Sequence, residues 1–237
     1  MDAASTPLPP PPFSLAPGPA VPPPPHAAQS PGPVGPALVP APAPPAVALP
    51  ESHDRRLLRL AAGFYGVVML FAVGYATFSG KLPELFGDEG PAASSLVGAV
   101  VVGFGIVGLC RLGNHLFPAV ARAADALGEL IGPVTWKGAL GLALLSGVGE
   151  ELLFRGALWP HLRIWGTTFL FALVHVVPKK ALLGYPLFAL GGGLLLGLLR
   201  LSGGNVLAPI VAHVIVNAMN LAWIGRRRAH ALGAVAA

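Results

Sequence analysis

Glu150 and Glu151 stand side by side, and they are the only acidic side chains in the 108 residues that follow Glu129. They fall fourteen residues into the apolar stretch Trp136–Leu158. At about 1.5 Å per residue a helix would carry them ~20 Å along its axis, well inside a hydrocarbon layer about 30 Å thick. A carboxylate at that depth is costly unless it is paired or protonated. Arg155 lies four residues after Glu151, so the two share a helix face and can pair. Glu150 is rotated by ~100° and has no such local partner. The spacing therefore splits the dyad, with Glu151 tied to Arg155 and Glu150 left for chemistry. A desolvated carboxylate without a partner is what a general base or acid requires.

Two further apolar stretches carry polar groups at compatible depth, His175 in one and His213 with Asn217 in another. His213 and Asn217 are four apart and share a face. Each alone reads as packing or an interhelical hydrogen bond, but three polar groupings at one depth read as a site. A carboxylate, two histidines and an amide donor suit hydrolysis by activated water. Glu150 would take the proton, His175 would hold the water, and His213 with Asn217 would donate to the oxyanion. Ser146, one turn before Glu150, is a weaker nucleophile candidate because no base is clearly its own. The alternative scheme has Glu150, His175 and His213 holding a divalent metal such as zinc, with water at an open position. The HExxH helix of common zinc proteases is absent.

Six apolar stretches are available to position these groups: Leu57–Phe78, Ser94–Leu112, Trp136–Leu158, Trp165–Val177, Gly184–Leu201 and Val206–Ile224. Most approach the ~20 residues needed to span a bilayer, and prolines punctuate the segments between them. Pro118–Leu130 reads as an amphipathic helix lying in the interface, with Val120, Ala123, Ala124, Leu127 and Leu130 opposite Arg122, Asp125 and Glu129. With the N-terminus inside, 11 of the 15 Lys and Arg residues fall on the inner side. That asymmetry predicts six spans with both termini cytoplasmic, in a multi-pass protein of the plasma (inner) membrane. Gly193 and Gly197 form a small-xxx-small pair that suits close packing within one bundle.

Composition agrees. The chain is 54% apolar and 11% charged, less than half the charge of a typical soluble domain, and its mean hydropathy is +0.70. Lys and Arg sit beside apolar runs rather than in strips interleaved with aromatics, which argues against nucleic acid as a partner. The one cysteine, Cys110, cannot form an internal disulfide. Residues 1–50 hold 19 of the 27 prolines and one charge, Asp2. Proline lacks an N–H and fixes φ, so this segment is expected to be a disordered tail with polyproline II bias. A Pro-tail-binding partner is the sharper reading of that tail, an inert spacer the plainer one. Residues 51–237 form the transmembrane domain, with the site-bearing core at about 136–224.

The residues also resemble a known family. Glu150-Glu151-Leu152-Leu153-Phe154-Arg155 is similar to the EExxxR motif of the CPBP intramembrane proteases, a group that includes type II CAAX prenyl endopeptidases and bacteriocin-processing relatives. Phe171–His175 resembles their FxxxH motif and His213–Asn217 their HxxxN motif, in the same order. The resemblance implies an all-α polytopic bundle of about six spans acting as an endopeptidase on a peptide or protein substrate at the lipid bilayer. It implies Glu150 as the water-activating residue, His175 as its partner, and His213 with Asn217 as oxyanion donors. Glu151 and Arg155 would be supports, and Phe171 a packing element. The family has been described both as metal-dependent and as glutamate proteases, so a zinc ion stays open here. The rival reading is a non-catalytic membrane protein, transporter-like or scaffold, using the same groups for proton relay or helix packing. No inverted repeat supports that reading.

Overall fold

The computed structural model describes residues 47–48, 51–86 and 93–235. The expected proline-rich tail lies outside the described residues apart from Val47–Ala48, and everything below concerns the unit Pro45–Ala237. That unit is helical. Its helices are α1 (Glu51–Phe78), α2 (Leu82–Phe86), α3 (Ala93–Leu116), α4 (Pro118–Ile131), α5 (Trp136–Glu151), α6 (Trp159–Val174), α7 (Tyr185–Gly203) and α8 (Leu207–Ala231). A π-helical turn, Leu152–Ala157, continues α5, and a 3₁₀ turn, Lys180–Leu182, precedes α7. Val47–Ala48 and Ala234–Val235 make a two-residue parallel pairing.

Local chemistry sets the boundaries. The Thr135 side chain caps α5 by accepting from the Gly138 N–H at 3.1 Å, and its hydroxyl donates to Asp54 of α1. The start of α1 is thereby fixed to the start of α5. α4 begins at Pro118, where a missing N–H costs nothing, and ends at Gly132 with φ +80°. Asn205 accepts from the Leu207 N–H at 3.0 Å to open α8. α6 is interrupted at Arg163, whose φ of 53° is strained for a residue with a side chain.

The contacts sort into two ends. At one, His53 meets Ile131, Lys179 meets Glu129, and Arg227 meets Asp125. At the other, the Val206 N–H donates to the Leu85 carbonyl, and Gly203 packs on Ser95. α1, α3, α5 with its π turn, α6, α7 and α8 each run between these ends. α8 lies at the centre, against α3, α4, α5 and α7. Gly147 allows its close approach to α5, because a Cβ there would sit 2.8 Å from Val214 Cγ2. Gly193 and Gly197 face Phe171 and Ile164 of α6, so the small-residue pair packs within the bundle. α4 turns its small residues inward, burying Ala126 and Gly128 and leaving Val120 and Leu130 exposed.

α1, α3, α7 with its preceding turn, and α8 are each long and apolar enough to cross a membrane; α4 with α5 and the π turn qualifies only as a pair bent by 94°. Of the six elements that run between the ends, four or five thus qualify as spans by length and composition. The two helices that fail alone are the ones the site alters. α5 carries Glu150 and Glu151, and α6 has only 16 residues with a break inside. Polar groups at membrane depth are tolerated when neighbouring protein encloses them. The outer faces are apolar, as at Leu60, Val67 and Leu70 of α1, which are 64%, 68% and 76% exposed. A surface of that kind suits lipid rather than water.

Candidate active site

Glu151 is fully buried, as is Arg155, and Arg155 Nη1 donates to Glu151 Oε1 at 3.0 Å. The π turn between them widens the helix by one residue per turn, a device frequent at functional sites. Arg155 Nη2 donates to the Gly193 carbonyl on α7 at 2.7 Å, while its own carbonyl accepts from Arg200 Nε at 3.1 Å. His213 Nδ1 lies 2.8 Å from the same Glu151 oxygen. Glu151 therefore ties α5 to α8 through His213, and Arg155 ties the π turn to α7.

Glu150 has a different set of neighbours. Tyr65 of α1 donates to Glu150 Oε1 at 2.7 Å. Glu150 Oε2 is buried and has no hydrogen-bond partner among the described residues. His213 Nε2 stands 3.8 Å from that oxygen and His175 Nε2 3.9 Å, beyond direct hydrogen bonding. His175 is not inside α6 but caps its C-terminus, with Nδ1 2.7 Å from the Phe171 carbonyl. A carbonyl only accepts, so this Nδ1 carries the proton and the Nε2 of a neutral ring is a bare lone pair. The same holds for His213, whose Nδ1 faces a carboxylate. One carboxylate oxygen and two imidazole nitrogens thus face one another as three acceptors.

Phe171 packs between the two groups. Its ring centroid lies 4.7 Å from the Arg155 guanidinium carbon, 4.5 Å from the His175 ring and 5.8 Å from the His213 ring. Asn217 Nδ2 donates to Ser146 Oγ at 2.9 Å, so Ser146 is the acceptor of that contact. A cavity of about 40 Å³ is lined by His175, Tyr185, His213 and Asn217 on its polar side and by Ile106 and Leu196 among its apolar walls. That volume has room for a few water molecules. Glu150 is not part of its wall. A larger open depression, at Ser52, Arg55, Arg56, Arg59 and Leu60 on α1, contains none of these groups.

The structure brings together all seven residues singled out in the sequence. It adds Tyr65 and Tyr185, which the sequence reading missed, and the bond from Glu151 to His213. Tyr65 offered one signal, a hydroxyl in the middle of an apolar run. Among the described residues no group of three His, Cys, Asp or Glu side chains is gathered so as to hold a metal ion. The steps below are derived for the residues of this chain alone.

Residues 132–219 match the family model for the Type II CAAX prenyl endopeptidase Rce1-like proteins. That stretch is similar to Rce1-like domains, in agreement with the three motifs, and it holds every one of the seven residues. Among curated proteins, the chain is similar to Uncharacterized protein YpbD of Bacillus subtilis (strain 168), with 38% identity over 79 residues, or 33% of this chain and 41% of that protein. The match thus spans less than half the length of that relative. No solved structure matches the chain.

Proposed function

We propose that the chain is an intramembrane endopeptidase in which Glu150 activates a water molecule for attack on a peptide carbonyl. The supporting observation is the buried, unpartnered Glu150 Oε2 with two imidazole lone pairs 3.8 and 3.9 Å away. A water between them donates one O–H to Glu150 Oε2 and the other to an imidazole lone pair. A water oxygen ~2.8 Å from each neighbour fits the gap.

Glu150 takes one proton as the water oxygen bonds to the carbonyl carbon, and His175 Nε2 accepts the other hydrogen and aims the lone pair. The carbonyl oxygen becomes the oxyanion. Asn217 gives one N–H to Ser146 and keeps a second for that oxygen. Protonated Glu150 then returns its proton to the leaving nitrogen, the C–N bond breaks, and an acid and an amine result. The apolar walls of the cavity suit a hydrophobic peptide segment delivered from the bilayer. The clustering of basic residues at the α4 end supports a cytoplasmic position for that end, and for both ends of the described chain.

The test is cleavage of quenched-fluorescent apolar peptides, with and without a prenylated cysteine, by the purified full chain in detergent. Glu150→Gln should lower turnover by roughly 10²- to 10⁴-fold while the protein stays folded. Undiminished turnover would sink the reading. Chelation should leave the wild-type rate unchanged.

A further inference from the structure

The helix α1 lies outside the matched residues 132–219, yet one of its side chains touches the reactive carboxyl. We propose that Tyr65 is a positioning residue that binds Glu150 Oε1 and thereby makes Oε2 the working oxygen; this rests on the hydrolytic role proposed for Glu150. A glutamate on a helix can turn either oxygen into the site. A donor fixed 2.7 Å from Oε1 restricts that rotation and leaves the other oxygen facing both histidines.

Two observations show that the contact is built in. Tyr65 is seated on Gly149, the residue immediately before Glu150: a Cβ at position 149 would lie 2.8 Å from Tyr65 Cδ1. Only a residue without a side chain admits the ring there. Around it, α1 exposes apolar side chains such as Phe64 and Val67, whereas Tyr65 is half-buried and turned against α5. The helix is also fixed lengthwise, through Asp54 to the Thr135 cap of α5 at its start and through Tyr75 Oη, 2.9 Å from His161 Nε2, near its end. α1 is therefore held as a strut, and the hydroxyl it carries at mid-length meets the base.

Tyr65→Phe keeps the ring on Gly149 and removes only the donor. Turnover (kcat) should fall by roughly 10- to 100-fold with KM within about twofold, the effect expected when a supporting contact to a catalytic group is lost. Gly149→Ala retains the hydroxyl but displaces the ring, and should lower kcat in the same way. Infrared spectra give a readout independent of turnover: the carboxylate bands assigned to Glu150 by their loss in Glu150→Gln should shift in Tyr65→Phe. Wild-type kcat in Tyr65→Phe or in Gly149→Ala, or unshifted bands, overturns the inference. If Glu150→Gln keeps full activity, the hydrolytic reading fails by itself, and the band shift still decides whether Tyr65 governs Glu150.

Discussion

The region around Glu151 and the region around Glu150 begin one residue apart and are built oppositely. Glu151 has no exposed surface, and one of its oxygens accepts from both Arg155 and His213. Its neighbourhood is a buried network of charged groups reaching α7 and α8, with Glu151 Oε2 and Arg155 Nε left without hydrogen-bond partners among the described residues. Glu150 is held at one oxygen by a neutral hydroxyl, while the other faces two lone pairs. One region uses charge to fix helices, and the other turns its free oxygen toward two histidine rings that line a cavity. The contrast shows how a bundle can carry two adjacent carboxylates at membrane depth. The first is anchored through one oxygen to Arg155 and His213 and so fixes the helices, although its Oε2 is buried without a hydrogen-bond partner among the described residues, and that framework holds the second beside the histidines. Phe171 joins the regions physically, with the Arg155 guanidinium and both histidine rings packed around it.

The largest effect should come from breaking the region around Glu151. Arg155→Ala would strand Glu151 as a buried carboxylate with one donor fewer. Removing one partner of a buried ion pair costs about 3–5 kcal/mol, which for a domain of this size corresponds to roughly 6–20 °C in thermal midpoint. Circular dichroism of the purified protein in detergent measures it. Arg155→Lys should fall between the two, since an ammonium cannot replace the fork that reaches Glu151 and the Gly193 carbonyl together. A midpoint unchanged in Arg155→Ala would remove the distinction between the regions.

The two histidines sharpen the same comparison. His213 belongs to both regions, with Nδ1 on Glu151 and Nε2 toward Glu150. His175 belongs to one, its Nδ1 held by the carbonyl of its own helix. Both alanine variants should lose activity by about 10²-fold or more. His213→Ala should also lose about 1–3 kcal/mol of stability, because a buried carboxylate loses a donor. His175→Ala should keep the thermal midpoint nearly intact. Equal loss of stability in the two variants would contradict the assignment of His175 to the region around Glu150 alone.

Much of this was readable before any coordinates, for a physical reason. Acidic residues are so scarce in the apolar half that Glu150 and Glu151 could not be overlooked, and the four-residue step to Arg155 fixes a shared face. The α4 helix was readable from its apolar and polar alternation. Other features depend on what sits across from a residue, and spacing does not report that. The bond from Glu151 to His213 spans 62 positions. Tyr65 reaches Glu150 across 85 positions, from a helix whose other side chains read only as lipid-facing. The end of α6 was not legible because an apolar run continues through Val176 and Val177, whereas the helix stops at Val174 and the His175 ring bonds the Phe171 carbonyl. The π turn left no mark in Leu152–Ala157, since its extra residue per turn is imposed by what Arg155 and Gly156 must pack against.

The smallest effect tests whether Ser146 belongs to the support or to the chemistry. Its hydroxyl oxygen accepts from Asn217 Nδ2 at 2.9 Å, and its own proton points to the Ala143 carbonyl at a long 3.5 Å. Among the described contacts no histidine or carboxylate bonds to it, so nothing is placed to take its proton. In the proposed mechanism it holds the Asn217 amide in one orientation, leaving the second N–H for the oxyanion. A neutral hydrogen bond of that kind contributes about 1 kcal/mol. Ser146→Ala should therefore lower turnover by only about fivefold, less than Asn217→Ala, and the double variant should lose little beyond Asn217→Ala because both changes disturb one donor. Steady-state cleavage rates of the three variants decide it. A loss in Ser146→Ala as large as that in Glu150→Gln would make Ser146 the nucleophile, and Glu150 would then no longer be the base for water.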